Sequence, residues 1–446
     1  MARVIRIRKG LNLRLVGEAR QSIEDVAIGG VYGIHPDDFY GFKPQILVHE
    51  GDHVLVGEPL FANKQKEELK VVSPVSGKVK SIVRGARRKV EMIEVEADGK
   101  QDSKLFKLKT DSREEALKLL LESGLFAFMR QRPYDIVPNP DDTPKGIFVS
   151  TFNLMPLEQD FSFIVKGQEE DFKQGVATLS RIAQVYVGVY EGKEEDGFAQ
   201  GLKNAEVSVI CGPNPAGNVG VLINHVAPMA KGEVAWTIGA EEVIFIGRLA
   251  RTGRVNLSRT VPFAGSEVKE PRYLRLLVGN GLSEITKGLK EDETVRLIGG
   301  NPLVGKATTS EGYMPAHATS ITAIPEGDKK DEAFGWIAPR LNDFSQSHSY
   351  FSWLQRGKAF NLDARIKGGE RHIIMSGEYD RVFPMDIYAN YLIKAILTAD
   401  IDRMEQLGIY EVAPEDFAVA EFVDSSKLEL QRIVREGLDM FRKEMS

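Results

Sequence analysis

At 446 residues the chain is long enough for about three domains. Its hydrophobic content of 42% and charged content of 27% are those of an ordinary soluble globular protein, and a net charge of -6 argues against nucleic-acid binding. The single cysteine, Cys211, excludes an internal disulfide and cannot by itself hold zinc or an iron–sulfur cluster; the seven histidines read as scattered, with no H-E-x-x-H or H-x-x-x-H pair counted among them, and no metal site is expected.

The N-terminus, "MARVIRIRKGLNLRLVG", is basic but alternates apolar and charged residues. It has no apolar core of signal-peptide length, and no run of about 18 apolar residues occurs anywhere. A cytosolic protein, or one peripheral on the cytosolic face of a membrane, is expected. The same alternation predicts strands. Short strand-like pieces continue to "VEMIEVEAD", broken at Gly51, Gly57, Gly77 and Gly85, which predicts an all-β module over residues 1–105. Within it, "VHEGDHVLVGEPLFANKQKEELKVVSPVSGKVKSI" has the cadence of a biotin- or lipoyl-carrier domain: one half opens on a Gly-Asp turn, the other on "SPVSGKV". The lysine slot falls near Lys66, in "NKQKEE" rather than in the hairpin that carrier ligases read, so Lys66 is expected to be unmodified.

The pattern then changes. "DSREEALKLLLESG" offers Asp111 or Ser112 as N-cap, with Glu115 at capping-box spacing. "GIFVSTF" reads as a strand, "EDFKQGVATLSRIAQ" as a helix, "VYVGVYEG" as a strand, "FAQGLKNA" as a short helix and "EVSVICG" as a strand. Such alternation predicts a parallel α/β sheet, assigned to 106–255. "RVNLSRTVPFAGSEVKEPRYLRLLVG" is β-rich again, and with the short helix "GLSEITKGL" it suggests a β-grasp-like module over 256–328. After the charged linker "PEGDKKDE", residues 329–446 read as mainly helical. Pro384 is placed near a helix start and Gly408 at a helix end. The last helix puts Leu430, Ile433, Val434, Leu438 and Phe441 on one face, for its own domain or for a partner.

No G-x-S-x-G elbow, Walker loop or GxGxxG after a strand is present. "LIGGNPLVGK" (297–306) lacks the Walker Ser/Thr and reads as a sharp turn between strands. "VICGPNPAGNVGV" (209–221) reads as a fixed turn, with Cys211 a buried structural thiol. Two segments have the make-up of a small-aromatic-ligand site: "YGIHPDDFYGFKP" with His35, Phe39, Tyr40 and Phe42, and "FAFMRQRPYDIVP" with Phe126, Phe128, Arg132 and Tyr134. A quinone headgroup needs flat apolar walls and one or two donors to its carbonyls, which these residues supply. The same aromatics would equally cement a domain interface.

Taken together, "EGDHVLVGEPLF", "SPVSGKV", "SGLFAFMRQRPYDIVP", "IFVSTFNLMPLEQD", "GPNPAG", "IGRLARTGRVNLSRTVPFAGSEVKEPRYLRLLVG", "IGGNPLVG", "FGWIAP" and "GEYDRVFPMDI" resemble the A-subunit family of the bacterial sodium-translocating NADH:quinone oxidoreductase. Parts also look like the C subunit of the Rnf electron-transport complex and, more distantly, the flavin-binding subunit of complex I. The resemblance implies an α+β multidomain fold: a barrel-sandwich hybrid, a Rossmann-like α/β domain, a β-grasp domain of the soluble-ligand-binding type and a helical C-terminal domain. It implies a peripheral subunit on the cytoplasmic side of the inner membrane, assembled on the membrane-embedded subunits. Ubiquinone or menaquinone is the ligand it suggests. The chain departs from its flavin-binding relatives. "GLFAFMRQRP" stands where they have the glycine-rich "GxGGAGFPT", Asn153-Leu154-Met155-Pro156 lacks their acidic residue, and "AEFVDSS" around Phe422 lacks cluster cysteines. Asn214, Leu222 and Asn224 stand where family members are richer in histidine. No cofactor is therefore expected in this chain; FAD, FMN, riboflavin and iron–sulfur centres are expected in partner subunits. The rival readings are a lipoyl or biotin carrier and an independent FMN- or NAD-binding dehydrogenase subunit.

Overall fold

Period-two alternation makes the first residues strands, but alternation reports only that one face is buried, not which sheet buries it. In the computed structural model, which describes residues 3–202, 204–291, 294–328, 343–345, 351–355 and 357–445, β1 (Arg3–Arg6) runs parallel to the distant strand Ala205–Cys211, with Arg3 opposite Ser208. β2 (Arg20–Asp25) pairs with Arg272–Leu277. β1 and β2, read with an all-β module over 1–105, thus join two later sheets.

The strands that pair among themselves begin at β3 (Val31–Ile34). They continue through β4 (Pro44–Ile46), β5 (His53–Val54), β6 (Pro59–Asn63), β7 (Lys66–Val72), β8 (Gly77–Arg84) and β9 (Val90–Ala97). They form a four-stranded sheet, β3-β9-β8-β5, and a three-stranded one, β4-β6-β7. Leu60, Phe61, Val71, Val75, Ile93 and Val95 are buried in them. Alternate apolar residues supply this core, and glycines at Gly51 and Gly57 turn the chain with positive φ.

α1 (Arg113–Glu122) starts where the capping box predicts: Ser112 Oγ accepts from Glu115 N–H, and Asp111 N–H donates back to the Glu115 carboxylate. There follow β10 (Arg130–Arg132), β11 (Ile147–Ser150), α2 (Phe161–Ile164), α3 (Glu169–Leu179), β12 (Val185–Tyr190), β13 (Ala205–Cys211), α4 (Val219–Val226), β14 (Ala235–Thr237) and α5 (Ala240–Thr252). "FAQGLKNA" does not form the expected helix; residues 198–201 make turns, with Gly201 at φ 76°, and Ala205 already belongs to β13. The sheet order is β1-β13-β12-β11-β14-β10, parallel except at β10. α3 and α5 meet glycine against backbone: a Cβ on Gly247 would lie 1.6 Å from the Asp171 carbonyl oxygen, and one on Gly175 would lie 2.1 Å from that of Val243.

The third unit comprises β15 (Ser258–Ala264), β16 (Arg272–Leu277), α6 (Ser283–Thr286), β17 (Val295–Gly299), β18 (Lys306–Thr308) and β19 (Ile321–Pro325). Its sheet order is β18-β17-β19-β15-β16-β2. "LIGGNPLVGK" is the β17–β18 hairpin, tightened by Asn301 Oδ1 accepting from Leu303 and Val304 N–H.

The C-terminal region holds α7 (Glu378–Val382), α8 (Ala389–Leu397), α9 (Ile401–Gln406), α10 (Ala418–Val423) and α11 (Leu430–Met445). Pro384 does not start a helix; it lies just after α7, between it and α8. The long helix expected beyond it breaks at Ala399, in the left-handed region at φ 53°, and restarts on Asp400, whose carboxylate accepts from Arg403 N–H. Gly408, at φ 89°, ends α9 as expected. The apolar face of α11 is covered within the chain, sharing one core with Ile5, Ile7, Ile210, Leu222 and Leu392. The "FGWIAP" segment lies outside the described residues.

Candidate interdomain cleft

Chain order places the site. From β11 the parallel sheet grows outward through β12 to β13, then the chain returns to lay β14 on the other side of β11. Strand order therefore reverses between β11 and β14, and such a reversal leaves a crevice outside the carboxyl ends of the strands. A cavity of about 470 Å³ opens there, reached by Ser150 and Thr151 at the end of β11 and by Thr237 and Gly239 at the end of β14. The β17–β18 hairpin, the 37–40 loop and Glu415 close its other sides.

Its walls are charged, and most charges are paired. Arg132 is 1% exposed; it donates to Asp135 at 2.7 Å and to Glu415 at 3.4 Å. Burial works against its positive charge, but Asp135, Asp416 and Glu415 outweigh it and hold its pKa above the ordinary value. Burial pushes the Glu415 carboxyl up to about 7, with Asp416 beside it adding to the shift. Glu158 accepts from Asn301 at 2.8 Å, and burial raises its pKa too. Arg130 donates to the Asp38 carbonyl at 2.7 Å, and burial lowers its pKa. The first turn of α5 carries Glu241 and Glu242, anions that suit the positive end of the helix dipole. Both face Arg259, and Glu242 lines the cleft. A phosphate brought to this helix end would meet a carboxylate.

The residues expected to bind a ligand divide among several places. Tyr40 and Arg132 line the cleft. The Tyr40 hydroxyl is committed to Asp439 at 2.6 Å, its ring lies 4.2 Å under the Arg435 guanidinium, and burial pushes its pKa up to about 12. It offers a face, not a donor. Phe39 is buried at the junction of three units, with ring centroids 6.0 Å from Phe61, 5.6 Å from Phe128 and 5.6 Å from His317. Phe42 packs on Phe39 and Phe61. These two phenylalanines fill the interface. His35 is turned toward the Glu91 carbonyl, with Nδ1 at 3.1 Å. Tyr134 packs on Phe441 and lines a second cavity of about 340 Å³, beside Lys66 and Arg442. Arg130, Glu158, His317, Glu415 and Arg435 also line the cleft. Glu158, His317, Glu415 and Arg435 come from four different segments with no motif of their own, so sequence reasoning missed them; Arg130 lies two residues before Arg132 in a segment already singled out and was passed over there.

Two other sequence features resolve locally. Lys66 sits at the β6–β7 hairpin and forms an ion pair with Asp141 of the α/β unit. We expect the chain with Lys66 to show the intact mass of the bare polypeptide by mass spectrometry, and Lys66→Ala to leave the urea midpoint near that of the wild type, as exposed ion pairs do. His49-Glu50-Gly51-Asp52-His53 spells H-E-x-x-H, which a reading of the histidines as scattered passes over. That motif holds zinc only on a helix. Here it runs through a turn at Gly51 into β5, and His53 Nε2 lies 3.0 Å from Asp98. Among the described residues no group of three His, Cys, Asp or Glu side chains could hold a metal ion. Cys211, expected to be buried, is half-buried at the end of β13.

Fold and cleft together define a mixed α+β multidomain protein with an N-terminal barrel-sandwich module, an α/β module and a helical C-terminal region, built around an interdomain crevice. Residues 5–98 match the family model described as the NqrA N-terminal barrel-sandwich hybrid domain, 111–255 the NqrA second alpha/beta domain and 260–310 the NQRA C-terminal domain. The chain is 33% identical over 447 residues to the A subunit of the Na(+)-translocating NADH-quinone reductase of Neisseria meningitidis serogroup B, covering 99% of this chain and 100% of that one. It is 34% identical over 450 residues to the corresponding protein of Alcanivorax borkumensis and to that of Hahella chejuensis, again over 99% and 100% of the two chains. The chain belongs to the A-subunit family of the Na(+)-translocating NADH-quinone reductase. Among the described residues no helix is long and apolar enough to cross a membrane.

Proposed function

We propose that the chain is a cofactor-free, peripheral subunit of the Na⁺-translocating NADH:quinone reductase, held on the cytoplasmic side by the membrane-embedded subunits. It assembles the complex and receives the quinone headgroup in the cleft between β11 and β14. The full-length identity to the A-subunit relatives carries the first part. The placement of Tyr40 and Arg132 on one cavity at a strand-order reversal supports the second. In this reading the parallel sheet is a Rossmann-like domain and the β2/β15–β19 sheet a β-grasp domain. FAD, FMN, riboflavin and iron–sulfur chemistry belongs to the partner subunits. Recovery of those subunits by affinity capture of this chain, from cells that contain the complex, tests the assembly role; their absence from the eluate counts against it.

Titration with a short-chain ubiquinone tests the cleft. Tyr40→Ala removes an aromatic wall and is expected to weaken binding roughly three- to tenfold. Tyr134→Ala, on the second cavity, leaves binding unchanged. The reverse pattern would move the site to the Tyr134 cavity. An independent flavoprotein is the second reading; a yellow purified chain would favour it, although Glu242 at the α5 N-terminus opposes a phosphate there.

A further inference from the structure

Arg132 Nε, Gln159 Oε1, His317 Nε2 and Arg435 Nε are buried without a protein hydrogen-bond partner, and all four residues line the cleft. Protein interiors leave few such atoms, because each costs its desolvation uncompensated. Their gathering around one cavity marks a site shaped for a polar-edged occupant.

His317 is the most constrained of the four. It lies between β18 and β19, where Ala316 N–H donates to Asp38 at 2.8 Å. Its ring stands edge-on to Phe39 at 5.6 Å and Phe128 at 5.5 Å. Residues from three units thus fix the direction of one imidazole. We infer that His317 binds the ligand's ring oxygen through Nε2, a role that rests on the quinone reading of the cleft.

The surroundings suit a neutral imidazole. Burial, then Arg130, Arg259 and Lys306, hold its pKa well below the ordinary value. A neutral ring presents N–H at Nε2 in one tautomer and a lone pair in the other. The same nitrogen can therefore donate to the carbonyl of a quinone or accept from the hydroxyl of a quinol. An imidazolium could only donate. Phe128, on the cleft wall beside it, supplies an apolar contact for the ligand ring.

The test uses the full chain with ¹⁵N-labelled histidine. One Nε2 resonance, assigned by its loss in His317→Gln, is expected to shift as a short-chain ubiquinone saturates the protein, and the other histidines stay put. His317→Ala should weaken binding about tenfold, the loss expected for one buried hydrogen bond. His317→Gln, whose amide also offers a donor and an acceptor, should recover most of that loss. Saturable binding that leaves the His317 resonance and the His317→Ala affinity unchanged overturns the inference but spares the cleft reading. Saturable binding abolished by Tyr134→Ala overturns both, as does absence of binding to the folded wild type.

Discussion

Arg259→Ala is expected to destabilise the protein by about 3–5 kcal/mol, read as a fall in urea midpoint with the slope kept. The Arg259 side chain is fully buried on β15; it pairs with Glu242, lies 3.5 Å from Glu241 and donates to the Ala318 carbonyl at 2.8 Å. Its guanidinium also stands 5.4 Å from the centre of the Phe245 ring. Removing it leaves two carboxyl groups buried side by side at the head of α5 without their buried cation, with the helix dipole, the Thr260 N–H and the charge of Arg248 left to favour ionisation. A midpoint within error of wild type would mean that the triad contributes nothing net. The same triad sets a pH dependence. Burial pushes Glu241 from the ordinary 4.5 up to about 7. The folded state therefore holds a proton that the unfolded state releases, so this contribution is fully present below about pH 4.5 and is lost as pH rises through about 7. Glu415, also raised to about 7, acts in the same direction. The midpoint should fall between pH 5 and pH 7, less steeply in Glu241→Gln, whose amide oxygen can still accept from Thr260 N–H.

Gly247→Ala should cost about 1–3 kcal/mol or more, and Gly247→Val should prevent the α/β unit from closing. In an exposed helix the alanine would stabilise by about 1 kcal/mol, so the sign of the change is diagnostic. Here the added methyl would enter the Asp171 carbonyl of α3. The carbonyl belongs to the helix backbone, so no rotamer change relieves the clash; the helices must separate. α5 begins at the cleft edge, and its displacement carries Glu242 with it. Under the proposed quinone role of the cleft, the variant should lose quinone affinity along with stability. A gain in urea midpoint would show that the helices do not cross at these glycines.

Local elements were legible where one segment contains its own cause. Ser112 and Glu115 cap a helix within four residues of sequence, and the 3.6-residue stripe of α11 describes the face it buries. Elements whose partners lie far away were not. Nothing in "RVIR" says that Ser208 will stand opposite Arg3. The α8–α9 break depends on one left-handed residue inside an apolar pattern that runs through it. The cleft follows the same rule. Tyr40 and Arg132 stood out because aromatics and arginine crowd their loops. His317, flanked by Ala316 and Ala318, carried no signal until the fold set Phe39 and Phe128 against it. Family resemblance supplied the function, which local pattern alone did not.

The placement of β1 and β2 has a consequence for how the protein is made. β1 pairs with a strand that leaves the ribosome some two hundred residues after it, and β2 with one that follows by about two hundred and fifty. Both must wait, while the strands β3 to β9 pair into their two sheets with one another and can form in the meantime, apart from the bridge of Tyr32 to Asn280. When the later strands arrive, the waiting N-terminal segment becomes the edge of each sheet. The β1–β2 segment, made before either partner, is therefore fastened late, and it ties the second and third units to one another.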